Sequence, residues 1–280
     1  MRLKFRLVNV FALDGDRLTG NPLCVIEDAT GLTDAQMQAL ALQFNLSETS
    51  FILPSGQADA RVRIFTPGYE MPFAGHPTLG TAEVLRSLGG GGDALTLELN
   101  VGPVGVRADG DLWELEAREP ETRPPRASRA ELASALGLDV ADLADPPLWV
   151  DTGSEQLVVP LASAEAVQRA QPGLEALVRV TADGPRAQAY VFAQEGPDSV
   201  VARFFFTKGS SLLEDPATGS AAANLGGWYL AQITALPLER TISQGRETGR
   251  PSRLRLRVDE DGAIFVAGEV VPLGRGYVEV

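Results

Sequence analysis

Apolar and polar residues alternate from Leu3 to Leu13, which predicts a strand turned by Asp14-Gly15-Asp16. Gly20-Asn21-Pro22 leads a short apolar run, Leu23–Ile26, that reads as a buried strand. Thr33-Asp34 caps an amphipathic helix carrying Met37, Leu40, Ala41 and Phe44 on one face. Strands follow at 48–54 and 58–66. A helix then runs from Pro77, at a position that tolerates proline, to Leu88, and Gly89–Gly92 ends it. That glycine run lacks the Lys-Ser/Thr of a phosphate loop and begins no helix, so it reads as a turn. Hairpin-spaced strands fill 94–117. Residues 119–126, charged and proline-rich, read as a linker unable to hold regular structure. Beyond it the pattern predicts a capped helix at Ser128, strands within 148–160, helices within 163–179, and strands at 188–194 and 199–206. A helix at 217–231 and further strands to Val280 complete it. Asp259-Glu-Asp-Gly262 joins two of these strands as a hairpin turn, not a calcium loop.

The pattern repeats. Glu70-x-Pro72-x-x-Gly75 matches Glu214-x-Pro216-x-x-Gly219 at a spacing of 144, and the upstream strands Arg63-Ile-Phe65 and Arg203-Phe-Phe205 match at 140. The second loop is therefore four residues longer. A weaker echo links Ser47-Glu48…Pro54 to Ser154-Glu155…Pro160. The chain reads as a duplicated α+β unit, with one half at 1–118, which the last strand (about 272–280) could complete, and another at 127–271. Each half holds one helix of small residues, around Thr78–Ala82 and Ser220–Gly226. Neither suits a surface helix; both suit the inside of a curled sheet, where backbones approach closely. Packed symmetrically, the two helix N-termini would converge on a cleft between the halves that accepts a small carboxylate.

A formal charge of −13 and a pI near 4.6 argue against nucleic acid and anionic membranes as partners. The single cysteine, Cys24, rules out an internal disulfide framework and suits the cytoplasm; in its apolar strand it reads as core. The N-terminus enters a strand directly without a signal-peptide core, and no apolar run approaches the roughly 18–20 residues of a membrane span.

Few residues can carry chemistry. Glu48 opens an apolar strand, where it either faces water or is desolvated into a useful proton carrier. His76, the only histidine, stands at a Gly-His-Pro helix start and either caps, packs or reacts. Asp215 belongs to an Asp-Pro turn or to an acid–base site. Gln244-Gly245 and Gly249–Ser252 read as a structural turn. One His and one Cys make no usual zinc site, so no metal is expected. No nucleophile elbow, dinucleotide fingerprint or second thiol exists. Metal-free proton transfer by carboxylates and an imidazole remains.

Gly20-Asn-Pro22, Leu46-Ser-Glu-Thr-Ser-Phe51, Pro72-Phe-Ala-Gly-His-Pro-Thr-Leu-Gly80, Glu214-Asp-Pro-Ala-Thr-Gly-Ser220 and Gln244-Gly…Gly249-Arg-Pro-Ser252 together resemble the phenazine biosynthesis (PhzF-like) isomerase family, in order and over essentially the whole chain. The resemblance implies the diaminopimelate epimerase-like fold, two pseudo-symmetric domains each with a curled sheet around a central helix. It also implies a homodimer without a cofactor. Glu48 matches the family's general acid/base, and His76 and Asp215 its other catalytic groups. Asn21, Ser47, Gly75, Thr218, Gly219 and Ser220 match the surroundings of the substrate. The activity implied is isomerisation of a small carboxylic acid, in the phenazine pathway a dihydro-hydroxyanthranilate. Two-base epimerisation and a non-catalytic binding module stay as alternatives. Ala74 departs from the epimerase relatives, which place a catalytic Cys there.

Overall fold

A computed structural model describes residues 1–144, 146–232 and 235–280. The chain divides into two compact units, residues 1–116 with 267–280, and residues 117–266.

The first unit contains β1 (Arg2–Val10), β2 (Asn21–Ile26), α1 (Asp34–Phe44), β3 (Glu48–Leu53), β4 (Ala60–Phe65), β5 (Glu70–Met71), α2 (Gly75–Ser87), β6 (Ala94–Leu99), β7 (Gly102–Asp109) and β8 (Leu112–Glu116). The pairs β2–β3 and β4–β6 are parallel; β1–β2, β3–β4, β4–β5, β6–β7 and β7–β8 are antiparallel. The end of the chain returns to β1, from Arg2↔Glu279 to Val10↔Val270, and also pairs with β8. The ring of strands is thereby closed.

Helix α2 runs through this ring and packs against β1, β2, β3, β4, β6 and β8. Its residues from Gly75 to Ala82 are all buried, which explains its composition. A Cβ on Gly80 would lie 2.6 Å from Leu23 Cδ2 and 2.9 Å from Val10 Cγ2. Helix α1 has both reciprocal caps of Thr33 and Gln36 and a left-handed Asn45 at its end. It lays Met37, Leu40 and Ala41 on Cys24, Ile26, Phe51 and Phe65.

The second unit contains β9 (Glu121–Arg123), α3 (Arg129–Ala135), β10 (Leu148–Asp151), β11 (Gln156–Pro160), α4 (Ala164–Arg169), α5 (Leu174–Val180), β12 (Gln188–Gln194), β13 (Ser199–Lys208), β14 (Ser211–Asp215), α6 (Gly219–Ala231), β15 (Leu238–Gln244), β16 (Ser252–Val258) and the first residues of β17 (Ile264–Glu279). Helices α3 to α5 cover a core that includes Trp149, Val159, Val191 and Phe205. Helix α6 packs against β9, β10, β11 and β16, and a Cβ on Gly226 would meet Ile264 Cγ2 at 2.8 Å.

The expected fold class is borne out, and the repeat is exact in register. Thr49↔Phe65 and Leu53↔Arg61 in β3–β4 become Ala189↔Phe205 and Ala193↔Val201 in β12–β13. Phe65↔Glu70 becomes Phe205↔Glu214, so the four added residues extend the β13–β14 hairpin.

Two expectations need correction. Residues 121–123, inside the stretch read as unable to hold regular structure, form β9 and pair with β10. Pro120, Pro124 and Pro125 flank this strand without interrupting it. The Arg123 guanidinium binds Glu155 and Asp183 and lies over the Trp149 ring, which fixes the segment. The weaker echo also fails. β3 runs parallel to the preceding β2 as β12 does to β11, so the counterpart of β11 is β2 and that of Glu48 is Gln188.

Candidate active site

The start of each central helix is held by the same clip. Arg63 Nε and Nη2 donate to the two oxygens of Glu70 at 2.8 and 2.6 Å, across β4 and β5. Arg203 Nε and Nη2 do the same to Glu214 at 3.0 and 2.7 Å, across β13 and β14. Arg63 holds the Glu70 carboxyl below the usual carboxylate range. The repeated Arg…Glu-x-Pro-x-x-Gly string is thus a bidentate ion pair closing a hairpin, its glutamate five residues before a glycine helix start.

In the first unit, Ala74 is the N-cap of α2 and supplies no side chain to its free N–H groups. Gly75 is its first residue and His76 its second, both buried. The His76 Nδ1 atom lies 3.2 Å from Glu48 Oε2, and the Glu48 side chain is 16% exposed at the start of β3. Burial pushes His76 down to about 4, against the pull of the Pro22 carbonyl beside it, so the imidazole is neutral near pH 7. Its Nε2 is buried with no hydrogen-bond partner among the described residues. Two residues after Glu48, Ser50 Oγ meets Thr81 Oγ1 at 2.6 Å, and Thr81 donates to the Pro77 carbonyl. These bonds tie β3 to α2 and hold Glu48 against the helix start. Asn21 is buried at the head of β2, beside Leu23, whose register partner is Glu48. Ser47 is half-buried just before β3.

In the second unit, Asp215 ends β14 and accepts a hydrogen bond of 2.6 Å from Thr218 Oγ1. Thr218 is the N-cap of α6, but its hydroxyl serves Asp215 and not the helix N–H groups. The Gln244 amide orders this turn. Its Oε1 accepts from Thr218 N at 3.3 Å, while Nε2 donates to the Asp215 carbonyl at 2.9 Å and to Thr218 Oγ1 at 3.1 Å. Gly245 follows at φ +81, where a Cβ would lie 2.4 Å from the Pro216 carbonyl oxygen and 2.3 Å from that of Arg250. Only glycine fits. Gly219 is buried, and half-buried Ser220 accepts from Gln156 Nε2 at 2.9 Å.

Glu48 and His76 therefore meet, as do Asp215 and Thr218 beside Gly219 and Ser220. Sequence reasoning favoured a simple turn for Gln244 and passed over Gln156 and Asn224. The available signals were a glutamine opening the apolar run Gln156-Leu-Val-Val-Pro160 and an asparagine inside an alanine-rich helix. Cys24 is fully buried in the first core, and burial pushes its thiol up. Among the described residues no group of three or more His, Cys, Asp or Glu side chains could hold a metal ion.

A family model for phenazine biosynthesis-like proteins matches residues 8–276. An uncharacterized isomerase of Pasteurella multocida is 39% identical, the match covering 99% of this chain and 94% of the relative. The trans-2,3-dihydro-3-hydroxyanthranilate isomerase of Pseudomonas aeruginosa is 36% identical over 98% of each chain. Among solved structures, a PhzF-family phenazine biosynthesis protein of Bacillus anthracis matches with a TM-score of 0.90 and 28% identity over 100% of both chains. With the duplicated architecture and these matches over nearly its whole length, the chain belongs to the phenazine biosynthesis-like (PhzF) family and is an isomerase.

Proposed function

We propose that the chain is a cofactor-independent isomerase that moves a proton between two carbons of a small carboxylic acid of the dihydro-hydroxyanthranilate class, with Glu48 as the carrier. The observation that carries this reading is the partly buried Glu48 carboxyl, 3.2 Å from His76 Nδ1 at the start of α2. An imidazolium there would weaken the carboxylate as a base; a neutral imidazole does not. Glu48 takes a proton from an sp³ ring carbon, and the released electron pair enters conjugation. The protonated Glu48 then delivers a proton to a second carbon. One C–H bond breaks, one forms and the double bond shifts, with no net redox change.

Asp215 is the further acid–base group, and the donors at the start of α6, including Gly219 and Ser220, bind the substrate carboxylate. Ala74, where a catalytic thiol would stand, has no ionisable group, so a two-base epimerase, the second reading, would have to use Glu48 and Asp215 as its opposed bases. The test is to supply trans-2,3-dihydro-3-hydroxyanthranilate in D₂O and follow it by NMR. A shifted double bond with deuterium at one carbon supports the reading. Deuterium at an inverted stereocentre without a shift indicates epimerisation, and binding without exchange indicates a non-catalytic module.

A further inference from the structure

A chain of buried amides leads to Ser220, and backbone groups fix its direction. Asn224, fully buried in α6, accepts from the Thr152 backbone N–H at 3.0 Å and from Thr152 Oγ1 at 2.7 Å. Its Nδ2 donates to the Ser154 carbonyl at 2.8 Å and to Gln156 Oε1 at 2.9 Å. A backbone N–H can only donate and a backbone carbonyl can only accept, so the Asn224 amide has one possible orientation. Gln156, 3% exposed, must then turn its oxygen to Asn224 and its nitrogen to Ser220 Oγ. That nitrogen can only donate. The Ser220 oxygen is therefore an acceptor toward Gln156, and its own hydrogen points elsewhere.

From this geometry we infer that Gln156 and Asn224 are positioning residues that set Ser220 as a hydrogen-bond donor to a bound oxyanion. The inference rests on the carboxylate-binding role given to the start of α6 under the proposed function. The same relay explains two buried polar residues that the repeat does not require: Leu23 and Gly80 stand at the corresponding places in the first unit. The amides belong to the second unit alone. A hydroxyl held this way meets a carboxylate without reorienting, and the preset donor is worth about tenfold in affinity when the partner is charged.

The test uses the full chain and 3-hydroxyanthranilate, an aromatic counterpart of the acid named for the relatives, with binding read by titration calorimetry. Ser220→Ala is expected to weaken binding about tenfold, Gln156→Leu to do the same, and the double variant to bind no worse than either single one. Gln156→Glu is nearly isosteric and keeps the bond to Asn224, so it guards against a folding failure of Gln156→Leu. As a carboxylate it reverses the Ser220 hydroxyl and weakens binding beyond the Leu variant at pH 8. Protonation at lower pH restores a donor, so its affinity must recover toward that of the unsubstituted chain. If Ser220→Ala weakens binding while Gln156→Leu and Gln156→Glu do not, the relay is wrong and the carboxylate site stands. Additive losses, or a Gln156→Glu variant with no recovery on acidification, also overturn it. If Ser220→Ala binds as tightly as the parent, or the parent does not bind, the carboxylate reading fails and the relay with it.

Discussion

Arg203 offers the sharpest test of what holds the second helix start in place. Its side chain is 9% exposed and makes five hydrogen bonds. Two go to Glu214, and Nη1 donates to the carbonyls of Val167, Gln168 and Ala170 at 3.2, 3.1 and 2.8 Å. The guanidinium thus closes the β13–β14 hairpin and caps the C-terminal carbonyls of α4. Replacing it with Met leaves a partly buried carboxylate unpaired and three carbonyls without this donor, a loss of about 3–5 kcal/mol. Removing both charges with Arg203→Met/Glu214→Leu deletes the stranded carboxylate and leaves only the carbonyls, so about 1–2 kcal/mol remains. Arg63→Met is expected to cost less than Arg203→Met, because its partners Glu70 and Asp34 are 25% and 81% exposed. Urea unfolding followed by circular dichroism and by tryptophan fluorescence measures all four proteins. A loss below about 1 kcal/mol for Arg203→Met, or a double variant as unstable as the single one, would refute the reasoning.

His76, as the only histidine, gives a single imidazole to follow by NMR. It is expected to stay neutral from pH 8 down to pH 5 and to titrate near 4; a midpoint at 6.5 or above would contradict the burial argument. Because its folded-state value lies below the ordinary 6.5, the unfolded chain binds more protons between these two values. Its contribution to stability is complete above pH 6.5 and is lost, by up to about 3 kcal/mol, as pH falls toward 4. Gly80→Ala sets a helix-propensity gain of about 1 kcal/mol against an overpacking cost of about 1–3 kcal/mol, since its Cβ would press on Leu23, Val10 and Val8. A lowered melting temperature is expected, and a raised one would mean that α2 is not held closely by β1 and β2.

How far the chain could be read without coordinates depends on how local each feature is. The duplication was legible because an Arg–Glu clip, a proline and a glycine helix start need those residue types at fixed spacing. The small-residue helices were legible because only close packing on several strands requires so many Gly, Ala and Thr residues together. β9 was hidden, since prolines that flank a strand look the same in sequence as prolines that break one. The return of the chain to β1 pairs Arg2 with Glu279 and leaves no local pattern. The false echo arose because a Ser-Glu before an apolar run is too short a string to identify equivalent strands. The relay from Thr152 to Ser220 joins the turn after β10, β11 and α6, and no spacing rule connects its members. The meeting of Glu48 and His76 was suggested by family motifs rather than by periodicity, because β3 and α2 are brought together by the ring and not by the chain between them.

The central claim is that one carboxylate carries the proton, and Glu48→Gln tests it most directly. The substitution keeps size and hydrogen-bonding reach but removes the base. With trans-2,3-dihydro-3-hydroxyanthranilate in D₂O, the variant is expected to lose deuterium incorporation and isomerisation by at least about a thousandfold while binding 3-hydroxyanthranilate nearly as tightly as the parent. Undiminished solvent deuterium incorporation by Glu48→Gln would contradict the account.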